Sequence, residues 1–407
     1  MQRLATVLLL AFALALSVGH DVLALTPVQQ LAARYHFNFL LWEAANLPSK
    51  WSHILFTKLL PYQQSDAGKR AQLEEYFRLK NDLSALQWEL SQAAATASPD
   101  LPGMEQRQAE LLSRAAELRP YVEETLEALV SDALREAEVT LQLGDALLPP
   151  VDLAMVDLPT ILIVSPRDRV ERHASYLLAP GIPPSERDAL ESAILQGEDL
   201  SGLVDDIGGL STYPAIVQSS DLRFAFIVAS HEWLHNYLFF FPLGANIHKD
   251  GDMSSLNETT ANIFGDEIGN RVYSRLTGEP EPPPPQPSGP AAPCPQDQFC
   301  FDREMRQTRQ RTDELLAEGK IEEAEAYMEA RRQVFVANGY YIRKLNQAYF
   351  AFHGTYADSP SSVSPIYRQL LEVRQASPSL SAFIRTMRGV SSYGEFLELH
   401  ARQTGGS

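Results

Sequence analysis

Cysteine is nearly absent from this chain. The 407 residues include only two, Cys294 and Cys300. A fold stapled by several disulfides is therefore excluded, and two thiols alone cannot supply the four ligands of a structural zinc site. Because the two lie close together in a proline-rich stretch, we expect them to close one small disulfide loop in an oxidising compartment.

Basic residues are also in short supply. The chain has 34 Lys and Arg against 52 Asp and Glu, which gives a formal net charge of -18. An acidic protein does not attract phosphate backbones, so nucleic acid is not an expected partner. Charged residues make up 21% and hydrophobic residues 45%, which is typical of a globular protein and not of a disordered one.

An apolar run at the N-terminus carries a targeting signal. Arg3 precedes an apolar stretch of about 15 residues at 4–18, a pattern typical of a secretory signal. Residues 22–24 offer a cleavage site, but 4–25 are also just long enough to span a bilayer. We therefore expect 1–25 to be a signal peptide or a membrane anchor. In both cases the rest of the chain lies outside the cytoplasm, either secreted or anchored.

Two stretches have the spacing of long amphipathic helices. Apolar residues recur at helical spacing between 66 and 143, and turn formers at 98–103 interrupt them, which predicts a helical hairpin. From 303 to about 349 the chain is again charged and helical. We expect one helical region at 26–150 and a second at 301–407.

The segment between these regions has a different character. Ile, Leu, Val and Tyr are concentrated in three short runs that predict strands, at 158–164, 174–178 and 213–217. Residues 185–195 predict a helix. This indicates an α+β core at 151–277, followed by a proline-rich loop or linker at 278–300. The predicted class is α+β and mainly helical, with a small sheet beside the motif described next.

Residues 231–235 read HEWLH, an HExxH motif. Residues four apart share one face of a helix, so His231 and His235 can bind one ion, with Glu232 beside the attacking water. The apolar flanks predict a buried helix, in which two histidines and a glutamate need partners. A bound metal ion would supply these partners. The alternative is a pair of hydrogen-bonded core histidines and a salt-bridged glutamate. Candidate caps for the helix are Ser219, Ser220 and Asp221.

A third ligand is expected downstream, at Glu258. A helix that starts near Ser255 would place Glu258, Ala261, Asn262 and Gly265 on one face. Small and polar residues there suit close approach to the HExxH helix. Asn262, one turn after Glu258, is expected to accept a hydrogen bond from a ligand imidazole.

Glu258 also has a purely structural interpretation. Ser255 and Glu258 fit a capping box, which would commit the carboxylate to the backbone of its own helix. We favour the ligand interpretation because a catalytic zinc site needs three protein ligands. The other acidic or histidine candidates nearby are His248, Asp250, Asp252, Asp266 and Glu267.

An HExxH motif followed by an Asn-Glu pair on a second helix resembles the gluzincin clan of zinc peptidases, which contains thermolysin-like proteases and many aminopeptidases. The resemblance covers about 221–270. It implies that His231, His235 and Glu258 bind zinc and that Glu232 is the general base and proton shuttle. Thermolysin-like enzymes carry Asp four residues after the ligand Glu, whereas this chain has Asn262, so Asp266 is the candidate replacement.

Gluzincins also use a Tyr or a His, well after the zinc helices, to stabilise the oxyanion. His353 and Tyr356 lie together after the second long helical stretch, and either is a candidate donor. The exopeptidase motif of the aminopeptidases is not seen, so endopeptidase and exopeptidase activity both stay open.

The sequence therefore predicts a zinc metallopeptidase that acts on peptide or protein substrates outside the cytoplasm. It does not indicate an oligomeric state. The main alternative is an envelope-associated helical interaction protein with a structural or inactive metal site. A structural zinc normally has four protein ligands, whereas HExxH with one Glu leaves a position open for water. A second alternative is a zinc hydrolase of non-peptide amides.

Overall fold

The computed structural model describes residues 25–38, 41–42, 65–95, 100–139, 141–143, 146–287, 295 and 298–405. This part of the chain forms 13 α-helices and three small sheets, so the predicted α+β, mainly helical class is confirmed. The signal or anchor predicted at 1–25 lies outside the described residues, except for its last position. Among the helices that are described, none combines the length and the hydropathy that crossing a membrane requires.

The predicted helical hairpin is present. After the short helix α1 (Pro27–Ala32), helices α2 (Asp66–Ala95) and α3 (Leu101–Glu136) pack side by side. Their facing positions, such as Leu73 and Leu126, are fully buried. The hairpin is therefore held by an apolar seam, as the helical spacing of its leucines predicts.

Eight short strands follow and form three sheets. A ribbon pairs β1 (Leu141–Leu143) with β2 (Ala146–Leu148). The second sheet has the order β3-β8-β7, and its strands are β3 (Leu153–Ala154), β7 (Gly209–Leu210) and β8 (Ala215–Val217). The third has the order β5-β4-β6, and its strands are β4 (Thr160–Pro166), β5 (Ala174–Leu178) and β6 (Leu200–Asp206). Helix α4 (Pro184–Glu198) connects β5 to β6. The predicted strands near 160 and 174 and the helix near 185 are confirmed.

Helix α5 (Leu222–Leu238) carries the HExxH motif. Asp221 caps its start, since a carboxylate oxygen accepts from the Phe224 amide at 2.6 Å. A single turn, α6 (Pro242–Ala245), follows, and then the long helix α7 (Gly251–Thr277). Most of α5 is buried, as its apolar flanks predict.

The start of α7 differs from the prediction. The helix begins at Gly251, because the Asp250 side chain accepts from the Met253 amide at 2.8 Å and serves as the N-cap. The expected start near Ser255 is therefore one turn too late. Ser255 instead donates its hydroxyl to the carbonyl of Thr355 at 2.6 Å. The capping-box interpretation is wrong, and the Glu258 side chain is not used to cap a helix.

Two glycines allow α5 and α7 to approach each other closely. A side chain at Gly265 would meet the Ile227 carbonyl oxygen at 2.8 Å, and one at Gly269 would meet the Ile227 nitrogen at 2.5 Å. Both glycines lie on the face of α7 that also carries Glu258. Helix-on-helix contact at backbone distance is what brings Glu258 up to the histidines.

Gly269→Ala is expected to lower the free energy of unfolding by about 1–3 kcal/mol, because the added methyl overlaps backbone that cannot rotate away. Alanine is otherwise the better helix former, by about 0.5–1 kcal/mol. Gly197→Ala is the matched control, since no atom lies within 4 Å of a side chain added at that position of α4. Urea unfolding should show opposite signs for the two variants. Equal effects would contradict the close packing.

The C-terminal region is helical but more divided than predicted. Its helices are α8 (Phe301–Ala317), α9 (Ile321–Ala337), α10 (Gln347–His353), α11 (Ile366–Ala376), α12 (Leu380–Met387) and α13 (Tyr393–Thr404). Gly319 and Gly339, with φ of 74° and 87°, break the stretch that we expected to be continuous, because a left-handed residue ends a helix. Cys300, just before α8, is disulfide-bonded, while Cys294 lies outside the described residues.

Candidate metal centre

Three side chains from α5 and α7 converge at one point. The Nε2 atoms of His231 and His235 lie 2.9 Å apart. The Glu258 Oε2 atom lies 3.5 Å from the first and 3.4 Å from the second. All three side chains are between 11% and 17% exposed. The helical spacing of the two histidines and the close approach of α7 together produce this triangle.

The triangle has the size that a zinc ion requires. Tetrahedral bonds of about 2.0–2.1 Å separate neighbouring ligand atoms by about 3.3 Å. The two edges to Glu258 match this separation, and the shorter edge between the histidines corresponds to an angle of roughly 90° at the metal. Two imidazoles and one carboxylate are also a donor set that catalytic zinc sites use. The residues present therefore fit zinc.

A second carboxylate lies at the same point. Ligand atoms of His231, Glu232 and His235 are all within 4.8 Å of one another, a grouping compatible with metal binding among the described residues. Of the two glutamates, Glu258 is the better ligand, since one of its oxygens lies within 3.5 Å of both ring nitrogens. This leaves Glu232 for another role.

Electrostatics tie Glu258 to the imidazoles. Burial alone would raise the pKa of the Glu258 carboxyl, but His235 and His231 hold it well below its usual value. Burial would lower the pKa of His235, yet the charge and hydrogen bonding of Glu258 raise it to about 9 overall. The Glu258 carboxylate and the His235 imidazole therefore stabilise each other's charged forms.

Glu232 is almost completely buried, and burial raises the pKa of its carboxyl. Its carboxylate packs against the backbone of strand β7, where a side chain in place of Gly209 would overlap both Glu232 and Val228. Glycine in a strand commonly marks such close approach. Gly209 is a site residue that the sequence patterns did not single out, although the Gly208-Gly209 pair before a predicted strand was visible.

The hydrogen bonds of the residues around the candidate ligands differ in part from the prediction. The Asn262 amide donates to both carboxylate oxygens of Asp358 at 3.0 Å, and in the described part of the chain no hydrogen bond joins it to His231 or His235. Asp358 in turn raises the pKa of Asp266, which burial and this neighbour together bring to about 6. Asn262 and Asp266 thus form a polar group with Asp358, a residue that only the fold brings here.

Asn257, the other half of the Asn-Glu pair, faces His235. Its amide nitrogen donates to the Leu243 carbonyl at 3.2 Å. Its buried oxygen has no hydrogen bond of standard geometry, although a contact with this side chain contributes to the raised pKa of His235. The contact is therefore looser than a normal hydrogen bond. It still places an acceptor where it can orient the ring.

A cavity of about 750 Å³ opens over the candidate metal centre. His231, Glu232, His235 and Glu258 form part of its wall. The rest is mainly apolar or backbone, including the segment 206–211 around strand β7. This volume is typical of a pocket for a small molecule or a short peptide segment.

Both predicted oxyanion donors line this cavity. The His353 side chain already has partners, since its Nε2 lies 2.9 Å from the Asp205 carboxylate and its ring packs on Tyr349. Glu258, burial and Glu232 raise the pKa of Tyr356 well above its usual value, so its phenol stays protonated at neutral pH. Within the described residues no acceptor takes the Tyr356 hydroxyl, which makes it the better placed donor.

The other candidate ligands have different surroundings. Glu267 is held by Arg374 through two bonds of 2.7 and 2.9 Å. Asp250 is the cap of α7, and Asp252 lies in the first turn of that helix. His248 lines the cavity but is not part of the triangle. The geometry therefore favours Glu258 over these alternatives.

Comparison of the chain with protein-family models, with curated proteins and with solved structures found no match. The case for a function therefore depends on the geometry of the site.

Proposed function

We propose that this chain is a zinc-dependent peptidase of the gluzincin type, acting on peptides or proteins outside the cytoplasm. The observation that carries the proposal is the triangle of His231, His235 and Glu258, 2.9 to 3.5 Å on its edges, at the wall of a large cavity. Three protein ligands leave a fourth position for water, as in catalytic rather than structural zinc sites.

Bound zinc would polarise a carbonyl oxygen and lower the pKa of a water in its open position towards about 7. Glu232 takes a proton from the attacking water, whose oxygen bonds to the peptide carbonyl carbon. The raised pKa of its buried carboxyl suits this role, since a stronger base accepts the proton more readily. Glu232 then passes the proton to the amide nitrogen as the C–N bond breaks, which gives an acid and an amine.

Tyr356 would stabilise the negative charge that develops on the carbonyl oxygen. Its protonated hydroxyl lines the cavity and has no acceptor among the described residues. Asp205 holds the alternative donor, His353, by its Nε2 atom. We therefore assign the oxyanion role to Tyr356 and a substrate-contacting role to His353.

Strand β7 suits an extended peptide. It is the edge strand of the sheet β3-β8-β7, and both its residues line the cavity beside Glu232. An extended chain can add to such an edge through backbone hydrogen bonds, which recognise a peptide without depending on its side chains. This favours a peptide substrate over a small non-peptide amide.

The test is metal analysis of the purified protein and of Glu258→Ala. The parent is expected to carry about one zinc per chain, and the variant to lose most of it on dialysis, since two imidazoles alone hold zinc weakly. Glu267→Ala is the control, because that glutamate lies on the same helix but is held by Arg374.

Each outcome has a distinct meaning. A parent without zinc would overturn the proposal and leave the helical interaction protein as the better account. Full zinc in both proteins would keep the metal and remove Glu258 from the ligand set. Zinc in the parent without hydrolysis of any peptide in a library would favour the non-peptide amide hydrolase.

A further inference from the structure

Three arginines, Arg167, Arg169 and Arg172, lie between the end of strand β4 and the start of strand β5. They differ in their ion-pair partners. Arg167 and Arg169 each pair with at least two carboxylates, at distances of 2.5 to 3.0 Å for the closest contacts. Among the described residues no carboxylate pairs with Arg172. This arginine, and not the other two, lines the cavity over the metal centre.

The Arg172 side chain is exposed, and its contacts among the described residues are with neutral groups. One of its nitrogens donates to the Ser175 hydroxyl at 3.3 Å. Its central carbon lies 6.0 Å from the centre of the Phe352 ring. These contacts leave the guanidinium free to pair with a carboxylate of a ligand. Asp206, an acidic residue of the same wall, is held by Arg187 through bonds of 2.7 and 3.2 Å.

The charge of Arg172 reaches the part of the cavity where chemistry is proposed. Glu258, burial and Glu232 raise the pKa of Tyr356, and Arg172 acts in the opposite direction. Arg172 and Tyr356 both line the same cavity. Lys and other Arg residues are absent from the lining of this cavity, so Arg172 is the one strongly basic group on the described wall.

An arginine without a carboxylate partner at this position favours an anionic ligand. The chain carries a net charge of -18, which disfavours anionic ligands unless a local cation attracts them. The planar fork of an arginine matches a carboxylate through two parallel hydrogen bonds.

We propose that Arg172 forms a subsite for a carboxylate of the peptide substrate, either a C-terminal carboxylate or an acidic side chain. This proposal rests on the peptidase function proposed above, since it assigns part of the specificity of that site.

Binding is tested without catalysis, in the full chain carrying Glu232→Gln. Phenylglyoxal labels accessible arginines, and mass spectrometry gives the labelling rate at each position. The probes are N-acetyl-Phe-Ala as free acid and as amide, and N-acetyl-Phe-Glu-Ala amide against its Gln counterpart. We expect one carboxylate form to slow labelling of Arg172 while the neutral form does not. The peptide that slows the labelling of Arg172 shows whether a C-terminal carboxylate or an acidic side chain binds there. Arg169 is the control, because no peptide should change its labelling rate.

Kinetics with the parent chain give a second readout. Arg172→Gln should lower kcat/KM for the carboxylate peptides by about 10- to 100-fold, the effect of losing a charged hydrogen-bond pair. It should leave the neutral peptides nearly unchanged. Arg172→Lys should be intermediate, because it keeps the charge and loses the fork. Arg169→Gln, the same change outside the cavity, should match the parent.

The two proposals fail in different ways. Equal labelling of Arg172 with acid and neutral probes overturns the carboxylate subsite, whether or not peptides are cleaved. Absence of peptide cleavage by the parent overturns the peptidase function, and the protection experiment still decides whether Arg172 binds a carboxylate.

Discussion

Replacing Glu232 by Gln is expected to lower the rate of peptide hydrolysis by about 10²–10⁴-fold, the usual contribution of a general base. The amide has nearly the same shape as the carboxylate but cannot accept the proton of the attacking water. Zinc content should stay unchanged, because the closest contacts to the two ring nitrogens come from Glu258. Activity is measured on a peptide library, and zinc on the same samples.

The structure also indicates how this variant should behave as a protein. Glu232 is buried against Gly209 and Val228, and Gln fills the same space, so the thermal midpoint should change little. An inactive variant that is folded and loaded with zinc separates a catalytic role from a ligand role. Loss of zinc together with activity would instead make Glu232 a ligand, and unchanged activity would contradict the peptidase mechanism.

Local patterns were sufficient for much of the fold. Leucine spacing predicts the hairpin of α2 and α3, and short apolar runs predict strands β4 and β5, because these elements are set by which residues must be buried. Helix ends were harder. The start of α7 depends on one side chain, Asp250, and several nearby polar residues could have served equally well.

The convergence of the candidate metal ligands was predictable from the sequence. His231 and His235 lie one turn apart, and Glu258 follows on a helix whose small residues require close packing. Other residues of the site were not predictable. Asp358 and Arg172 reach it from segments far away in sequence, and only the tertiary fold brings them there.

Replacing Glu191 by Ala is expected to lower the free energy of unfolding by about 3–5 kcal/mol, the cost of breaking a buried ion pair. The Glu191 side chain is fully buried on α4. It pairs with Arg343, lies 2.8 Å from the Lys344 nitrogen and accepts from the Val204 amide at 2.6 Å. Its removal leaves a partly buried guanidinium without its fully buried carboxylate partner, and the Val204 amide without its acceptor.

The same cluster joins α4, strand β6 and the segment before α10, which carries His353 to the cavity wall. Urea unfolding measures the loss of stability, and Glu191→Gln should recover part of it, since an amide oxygen can still accept from Val204. Asp188→Asn is the matched control. That carboxylate also binds Arg343 but is 61% exposed, and exposed pairs contribute at most about 1 kcal/mol. If Glu191→Ala costs no more than Asp188→Asn, the cluster does not hold this wall in place, and α10 must be fixed by its other contacts with strands β4 and β6.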